Sequence, residues 1–119
     1  MTLVVDLFNP AEGPYAYLNA IEDDAAGFES YRLRLWSGPP LVARGARFLP
    51  RLARGDLFVF PEQLPEFAEE CRSLRDDADA IAIALWGSSD GANEIRRYLD
   101  RFLSAAALAE QRAVGVCIS

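Results

Sequence analysis

Apolar residues recur at spacings of three and four through most of the second half of the chain, and this pattern constrains the fold more than any other feature. Such spacing places side chains on one face of an α-helix, since a turn takes about 3.6 residues. Two long helices are predicted, at about residues 62–86 and 90–112, and the glycine-containing segment from Trp86 to Gly91 separates them. The predicted buried stripes are Leu64, Phe67, Ala68, Cys71, Leu74, Ala78, Ile81, Ala82 and Leu85 in the first helix, and Ile95, Tyr98, Leu99, Phe102, Leu103, Ala106 and Ala109 in the second.

The first half of the chain is richer in aromatic and β-branched residues, and it predicts strands. Residues 3–8 and 56–60 are short apolar runs that end at turn residues or proline. The alternation Tyr31-Arg-Leu-Arg-Leu35 predicts a half-buried strand within residues 28–36, with its arginines on the exposed face. Residues 41–52 predict a weaker strand or a pair of loops.

Three further segments complete the prediction. Residues 15–21 are read as either a strand or a helical turn, and residues 22–27 as a loop tip. The apolar run 114–118 predicts a strand at the C-terminal end. Strands followed by two long helices and one strand favour a single α+β domain over residues 1–119. Its sheet, antiparallel or mixed, is predicted to have four to five strands and to be packed by the helix pair.

The chain contains no histidine and no lysine, which removes most of the usual catalytic side chains. Histidine is the side chain that titrates nearest neutral pH and the commonest metal ligand. Lysine forms Schiff bases and grips phosphate in nucleotide-binding loops. All twelve cations are arginines, which stay protonated and do not act as bases at ordinary pH. We therefore expect a binding protein rather than an enzyme, with no cofactor and no metal.

The net charge of −6 indicates what such a protein would bind. Nucleic acids and anionic membranes are polyanions, so we expect no direct binding to either and favour a basic protein as the partner. A cluster of arginines, Arg44, Arg47, Arg51 and Arg54, is expected to form salt bridges with the chain's own carboxylates. The N-terminus lacks a signal-peptide pattern and no segment approaches the length of a membrane span, so a cytoplasmic protein is expected.

Two acidic groups and several aromatic residues are the candidate partner-binding residues. The acids lie in the predicted loop and on the polar face of the first helix, and their alternative role is to solvate the surface. The tryptophans each end an element beside a glycine and are either interface anchors or residues at the edge of the core. The candidates are Glu22, Asp23, Asp24, Asp76, Asp77, Asp79, Trp36, Trp86, Tyr15 and Tyr17.

Three further groups of side chains bear on catalysis or metal binding. Asp6 and Asp56 are the most plausible buried carboxylates for acid–base work, against the alternative of a hydrogen-bonded turn or an arginine salt bridge. Asp76, Asp77 and Asp79 lack the ligand spacing of a calcium loop. Cys71 and Cys117 are expected to be buried free thiols.

The stretch Gly55-Asp-Leu-Phe-Val-Phe-Pro-Glu-Gln-Leu-Pro-Glu-Phe-Ala-Glu-Glu-Cys71, a strand running into an acidic helix, resembles the immunity proteins that bacteria carry beside polymorphic or contact-dependent toxins. The resemblance is one of type over the whole chain and transfers no site residues. It implies stoichiometric inhibition of a cognate toxin, and the targets of this class are often basic nucleases or deaminases. The alternatives are a dimeric secretion chaperone, and a small carboxylate-dependent enzyme or enzyme subunit; a homodimer is a further possible assembly.

Overall fold

The structure, a computed structural model, describes residues 2–13 and 16–119 and confirms the α+β class. Over these residues it has four strands and four helices, joined by short 3₁₀ and π-helical turns. The strands are β1 (Thr2–Phe8), β2 (Ala25–Phe28), β3 (Leu57–Val59) and β4 (Gly115–Ile118). The helices are α1 (Pro39–Ala43), α2 (Leu64–Asp76), α3 (Ala78–Trp86) and α4 (Ala92–Arg112).

The strands form one antiparallel sheet in the order β2-β1-β4-β3. The C-terminal strand β4 therefore lies in the middle of the sheet, pairing with β1 on one side and with β3 on the other. All four residues of β4 are buried, as expected for a strand without an open edge. The strands predicted at residues 3–8, 56–60 and 114–118 are confirmed, each within one or two residues.

The main core lies between one face of this sheet and helices α2, α3 and α4. Alternate residues of β1, Leu3, Val5 and Leu7, point into it, as the period of a strand requires. The predicted stripe of α4 is buried except for Leu103, which is half-buried against the core. Burying whole side chains of this size stabilises the fold by about 1.5–3 kcal/mol each, so the two stripes hold the helices on the sheet.

The helix predicted over residues 62–86 is two helices, so the prediction of one continuous helix is wrong. The chain breaks at Asp77, whose backbone leaves helical geometry between α2 and α3. Asp77 occupies the N-cap position of α3, but its side chain makes no capping hydrogen bond there. Its carboxylate is held by Arg44, with Nε 3.1 Å from Oδ2. The apolar stripe continues across the break, so its periodicity does not reveal the interruption.

The strand predicted within residues 28–36 is wrong. β2 ends at Phe28, and Arg32–Trp36 form a π-helical turn instead. Arg32 holds this turn in place: its guanidinium donates to the carbonyl of Gly55 at 2.7 Å and to the carboxylate of Asp56 at 2.8 Å. The segment 25–27, predicted as a loop tip, belongs to β2.

Residues 41–52 are also not a strand. They contain the end of α1 and most of a 3₁₀ turn at Leu49–Ala53. The half-buried Glu70 carboxylate organises the approach to this turn, because it accepts the backbone N–H groups of Arg47, Phe48 and Leu49. Of the four arginines expected to pair with carboxylates, Arg44 alone has an ion pair among the described residues, and the Arg51 guanidinium lies 4.8 Å from the centre of the Phe48 ring.

The other face of the sheet carries a smaller apolar cluster. Phe8 is fully buried there and makes edge-to-face contacts with Phe58 and Phe60 at 5.2 and 5.5 Å between ring centres. Within residues 16–21, Tyr17 forms an isolated bridge with Phe8, so this segment is neither a regular strand nor a helical turn. Across the described ranges, no helix combines the length and the apolar character needed to cross a bilayer.

Candidate functional site

A concavity of about 420 Å³ lies where the end of β2, the π-helical turn and the start of α4 meet, and we call it the aromatic pocket. Two of its aromatic side chains are unusually open to solvent: Phe28 is 53 % exposed and Trp86 is 43 % exposed. Tyr31 lies between them, half-buried. The pocket is lined by Phe28, Ser30, Tyr31, Arg34, Trp86, Ser88, Asp90, Gly91 and Glu94.

Two glycines allow the aromatic walls to lie where they do. A Cβ atom on Gly91 would stand 2.5 Å from the six-membered ring of Trp86, and one on Gly27 would stand 2.5 Å from Cδ2 of Tyr31. Neither spacing is possible for a residue with a side chain. Gly27 also has φ of +107°, a backbone conformation that favours glycine. Each ring therefore packs directly on bare backbone, which limits its movement.

Glu94 supplies the half-buried carboxylate of the pocket. The Tyr31 hydroxyl donates to its Oε2 and the Tyr98 hydroxyl donates to its Oε1, each at 3.2 Å. Burial, together with the neighbouring Glu94 carboxylate, raises the pKa of Tyr31 to about 12. The same two causes raise the pKa of Tyr98. Both phenols therefore stay protonated at neutral pH and act as donors to Glu94.

The aromatic pocket is continuous with the core through a series of ring contacts. Tyr31 meets Trp36 and Tyr98 edge-on, at 6.4 and 6.2 Å between ring centres. Trp36 in turn meets Phe102 at 5.3 Å. Edge-to-face aromatic pairs of this kind contribute about 0.5–1.5 kcal/mol beyond the area they bury. The exposed rings thus stand on a fixed base rather than on a mobile loop.

A larger concavity, of about 740 Å³, runs along the outer side of α4, and we call it the arginine groove. Its charges are mostly neutralised within the chain. Arg75 bonds to Asp100 at 2.5 Å, Arg96 to Asp79 at 2.7 Å and Arg101 to Asp23 at 2.7 Å. The arginine groove is lined by Ala20, Ile21, Glu22, Asp23, Arg75, Asn93, Arg96, Arg97, Asp100, Arg101, Ser104, Ala105 and Leu108.

The candidate acids on the loop before β2 lie at this groove or beside it. Glu22 and Asp23 are exposed and line it, and Asp23 is paired with Arg101. Asp24 is half-buried, and its backbone carbonyl accepts the N–H of Val5. The loop is therefore tied both to β1 and to α4.

The candidate acids around the α2–α3 break have different partners. Asp77 forms a salt bridge with Arg44 at the C-terminal end of α1, and Asp79 forms one with Arg96 of α4. Asp76 is exposed and has no ion pair within residues 2–13 and 16–119. The structure thus brings Asp23 and Asp79 to one helix, through Arg101 and Arg96.

The candidate aromatic residues are dispersed. Trp86 lies in the aromatic pocket, whereas Trp36 is fully buried and donates its indole N–H to the carbonyl of Ala26 at 3.1 Å. Trp36 is therefore a core residue, the alternative weighed for it, and presents no surface to a partner. Tyr17 is exposed beside β1, away from the pocket lining. Tyr15 lies outside the described residues.

The carboxylates considered for catalysis have structural bonds. Asp6 accepts the backbone N–H groups of Leu7, Asn19 and Ala20, and Asp56 accepts from Arg32. Cys71 and Cys117 are free and buried, and burial raises the pKa of both thiols, that of Cys117 to about 12. In the part of the chain that is described, no group of three or more acidic, histidine or cysteine side chains is placed to hold a metal ion.

Sequence reasoning found Trp86 but missed the rest of the aromatic pocket. Phe28 and Tyr31 fall in the segment predicted as a strand, and Glu94 is not among the predicted functional residues. The available signal was the position of Gly27 and Gly91 near aromatic residues, yet nothing in the sequence pairs Tyr31 with Glu94, which follows 63 residues later.

Comparison with protein-family models, with curated proteins and with solved structures finds no match for this chain. Function is therefore inferred from the chemistry of the aromatic pocket and of the surface around it.

Proposed function

We propose that this protein is a non-catalytic binding protein that neutralises a basic bacterial toxin by one-to-one association, in the manner of an immunity protein. The observation that carries the proposal is the aromatic pocket: exposed Phe28 and Trp86 stand beside the half-buried Glu94 carboxylate on a protein of net charge −6. Tryptophan and tyrosine are among the side chains that most often dominate the energy of protein interfaces. A fixed carboxylate among them favours a positively charged partner.

The charge of the whole chain and the pocket have separate roles in this proposal. The net negative charge accelerates encounter with a basic protein over distances up to roughly a Debye length, about 8–10 Å at ordinary salt. Once the surfaces meet, burial of Trp86 and Phe28 slows dissociation, because apolar burial is not screened by salt. Association is therefore expected to slow as salt rises, whereas the formed complex persists at moderate salt. The proposed place of action is the cytoplasm.

The described contacts favour this proposal over the alternatives. A carboxylate-dependent enzyme would use Asp6 or Asp56, whose oxygens already accept backbone and guanidinium N–H groups. A secretion chaperone would present an extended apolar groove, whereas the arginine groove is lined by seven charged side chains, Glu22, Asp23, Arg75, Arg96, Arg97, Asp100 and Arg101.

The test is co-expression with the product of the adjacent upstream gene, scored by rescue of growth and by pull-down across a salt series. Wild-type protein is expected to restore growth and to co-purify at one-to-one stoichiometry. Trp86→Ala is expected to lose rescue while remaining folded. Ile83→Ala is the matched control, since Ile83 is 53 % exposed on the same helix and does not line the pocket.

The proposal fails if the neighbouring gene product is neither toxic nor bound, or if Trp86→Ala and Ile83→Ala rescue growth equally well. Sedimentation of the protein alone tests the homodimer. A stable dimer that buries Trp86 would assign the aromatic pocket to self-association instead.

A further inference from the structure

The aromatic pocket has two carboxylates in its lining, Glu94 and Asp90, and one cation, Arg34. Among the described residues, Glu94 accepts two phenol donors at 3.2 Å and forms one long ion pair, with an Arg97 guanidinium nitrogen 3.9 Å from Oε1. A carboxylate offers about four acceptor sites, so roughly half of those on Glu94 are unused. Asp90 also lines the pocket, and its carboxylate has no ion pair in the described parts of the chain.

The walls around this charge are the kind that attract cations. An aromatic ring carries partial negative charge on its faces, and a cation within about 6 Å of the ring centre is stabilised by it. Tyr31 and Trp86 are inclined at 38° with their centres 6.4 Å apart, and Phe28 meets Tyr31 edge-on at 5.4 Å. The rings therefore form a tilted, partly exposed wall next to Glu94, and Gly27 and Gly91 keep two of them in position.

We propose that Phe28, Tyr31, Trp86 and Glu94 form a socket for one arginine side chain of the protein partner. This inference rests on the proposed function for the source of the arginine. A guanidinium group is planar and weakly hydrated, so it stacks on aromatic rings while its N–H groups reach a carboxylate. Arg34, the cation in the lining, is exposed and opposes the incoming charge. Its removal is expected to strengthen binding, the opposite of what removal of Glu94 does.

The tryptophans allow the socket to be observed directly by NMR, without the partner. The indole N–H of Trp86 reports on the pocket, whereas that of Trp36, buried and bonded to Ala26, is an internal reference. The probe is a short Gly-Ser peptide with one central arginine, titrated to millimolar concentration. Matched peptides carry citrulline, which has nearly the same shape without the charge, or leucine.

The arginine peptide is expected to shift the Trp86 signal saturably and to leave that of Trp36 unchanged. Its Kd is expected to be at least about fivefold lower than that of the citrulline peptide, as a cation–aromatic contact of about 1 kcal/mol implies. Glu94→Gln is expected to weaken arginine binding about fivefold, and Arg34→Ala to strengthen it about twofold. Glu110→Gln, an exposed change on the same helix, serves as the control.

Two results would overturn the socket: equal shifts with arginine and citrulline or leucine, which would make the pocket an apolar docking site, or no shift of Trp86 with any peptide. Failure of the proposed function is distinguishable from either. If the arginine peptide shifts the Trp86 signal but the protein does not rescue growth against the adjacent gene product, the socket stands and the proposed toxin is rejected as the partner. If the Glu94→Gln variant still rescues growth and the arginine peptide does not bind, the proposed function stands and the socket is rejected.

Discussion

The aromatic pocket and the arginine groove differ in how their charges and apolar groups are used. The groove is the larger, at about 740 Å³ against about 420 Å³, and three of its arginines have a carboxylate within 2.7 Å. In the pocket, Phe28 and Trp86 remain exposed, and Glu94 has two phenol donors and one long ion pair, with Arg97 at 3.9 Å. The two concavities therefore differ in exposed rings and in the pairing of their charges as well as in volume, and because interface hot spots favour aromatic side chains, the proposed binding surface is the smaller concavity.

The sharpest way to break this comparison is to show that the exposed rings hold the fold together. We expect Trp36→Ala to lower the free energy of unfolding by about 3–5 kcal/mol, because it empties a fully buried site. Trp86→Ala is expected to cost about 1 kcal/mol or less, since its ring is open to solvent. Urea denaturation of both variants measures the difference. Equal costs would make the pocket a structural feature.

The next largest expected effect is on affinity for the proposed partner, and it distinguishes the aromatic pocket from the arginine groove. With the proposed partner, Trp86→Ala is expected to weaken binding by about 2 kcal/mol or more, as a buried aromatic anchor does. Asp79→Asn in the groove region is expected to change affinity by less than about 1 kcal/mol, because that carboxylate is already paired with Arg96. Calorimetric titration compares them. A larger loss from Asp79→Asn would move the binding surface to the arginine groove.

A pH experiment tests whether the phenols of the pocket are as enclosed as the contacts indicate. Tyr31 has a pKa of about 12 in the folded protein, against about 10 in an unfolded chain. The stability that Tyr31 contributes is therefore fully present below about pH 10 and is lost as pH rises towards 12, because the unfolded chain releases the proton first.

The measurement is the urea midpoint of wild type and of Tyr31→Phe across this range. The variant is expected to lose less stability with pH; its residual loss belongs to Tyr98, Cys71 and Cys117, whose pKa values are also raised. Parallel curves for the two proteins would contradict the enclosed Tyr31–Glu94 contact.

The smallest expected effect lies in the arginine groove. A double-mutant cycle on Arg96 and Asp79, both changed to alanine, is expected to give a coupling energy of about 0.2–1 kcal/mol that falls with added salt, since Asp79 is 64 % exposed. Thermal melts at two salt concentrations provide the data. Coupling well above this range, unaffected by salt, would show that the groove stabilises the fold and is more than a neutralised surface.

Local patterns predicted much of the fold. The stripe of α4 depends on neighbours three and four residues apart, so its bounds and buried face follow from the chain itself. Strands β1, β3 and β4 were also predicted from local patterns, because each is a short apolar run in the sequence. Residues 28–36 were misread because Tyr31-Arg-Leu-Arg-Leu35 alternates like a strand, whereas its conformation depends on bonds from Arg32 to Gly55 and Asp56. The break at Asp77 likewise involves Arg44, which precedes it by 33 residues.

The sequence by itself determined the α+β class, the long C-terminal helix, the apolar faces and the charge of the protein. Each of these depends on composition or on residues close together in the chain. The aromatic pocket was decided by tertiary structure alone: Phe28 and Tyr31 meet Trp86 and Glu94 only after the β2 end of the sheet packs against α4. Periodicity in the sequence indicates which face of an element is buried, but it does not indicate which distant elements pack together. Binding sites often lie where such elements meet, so the sequence pattern alone does not predict them.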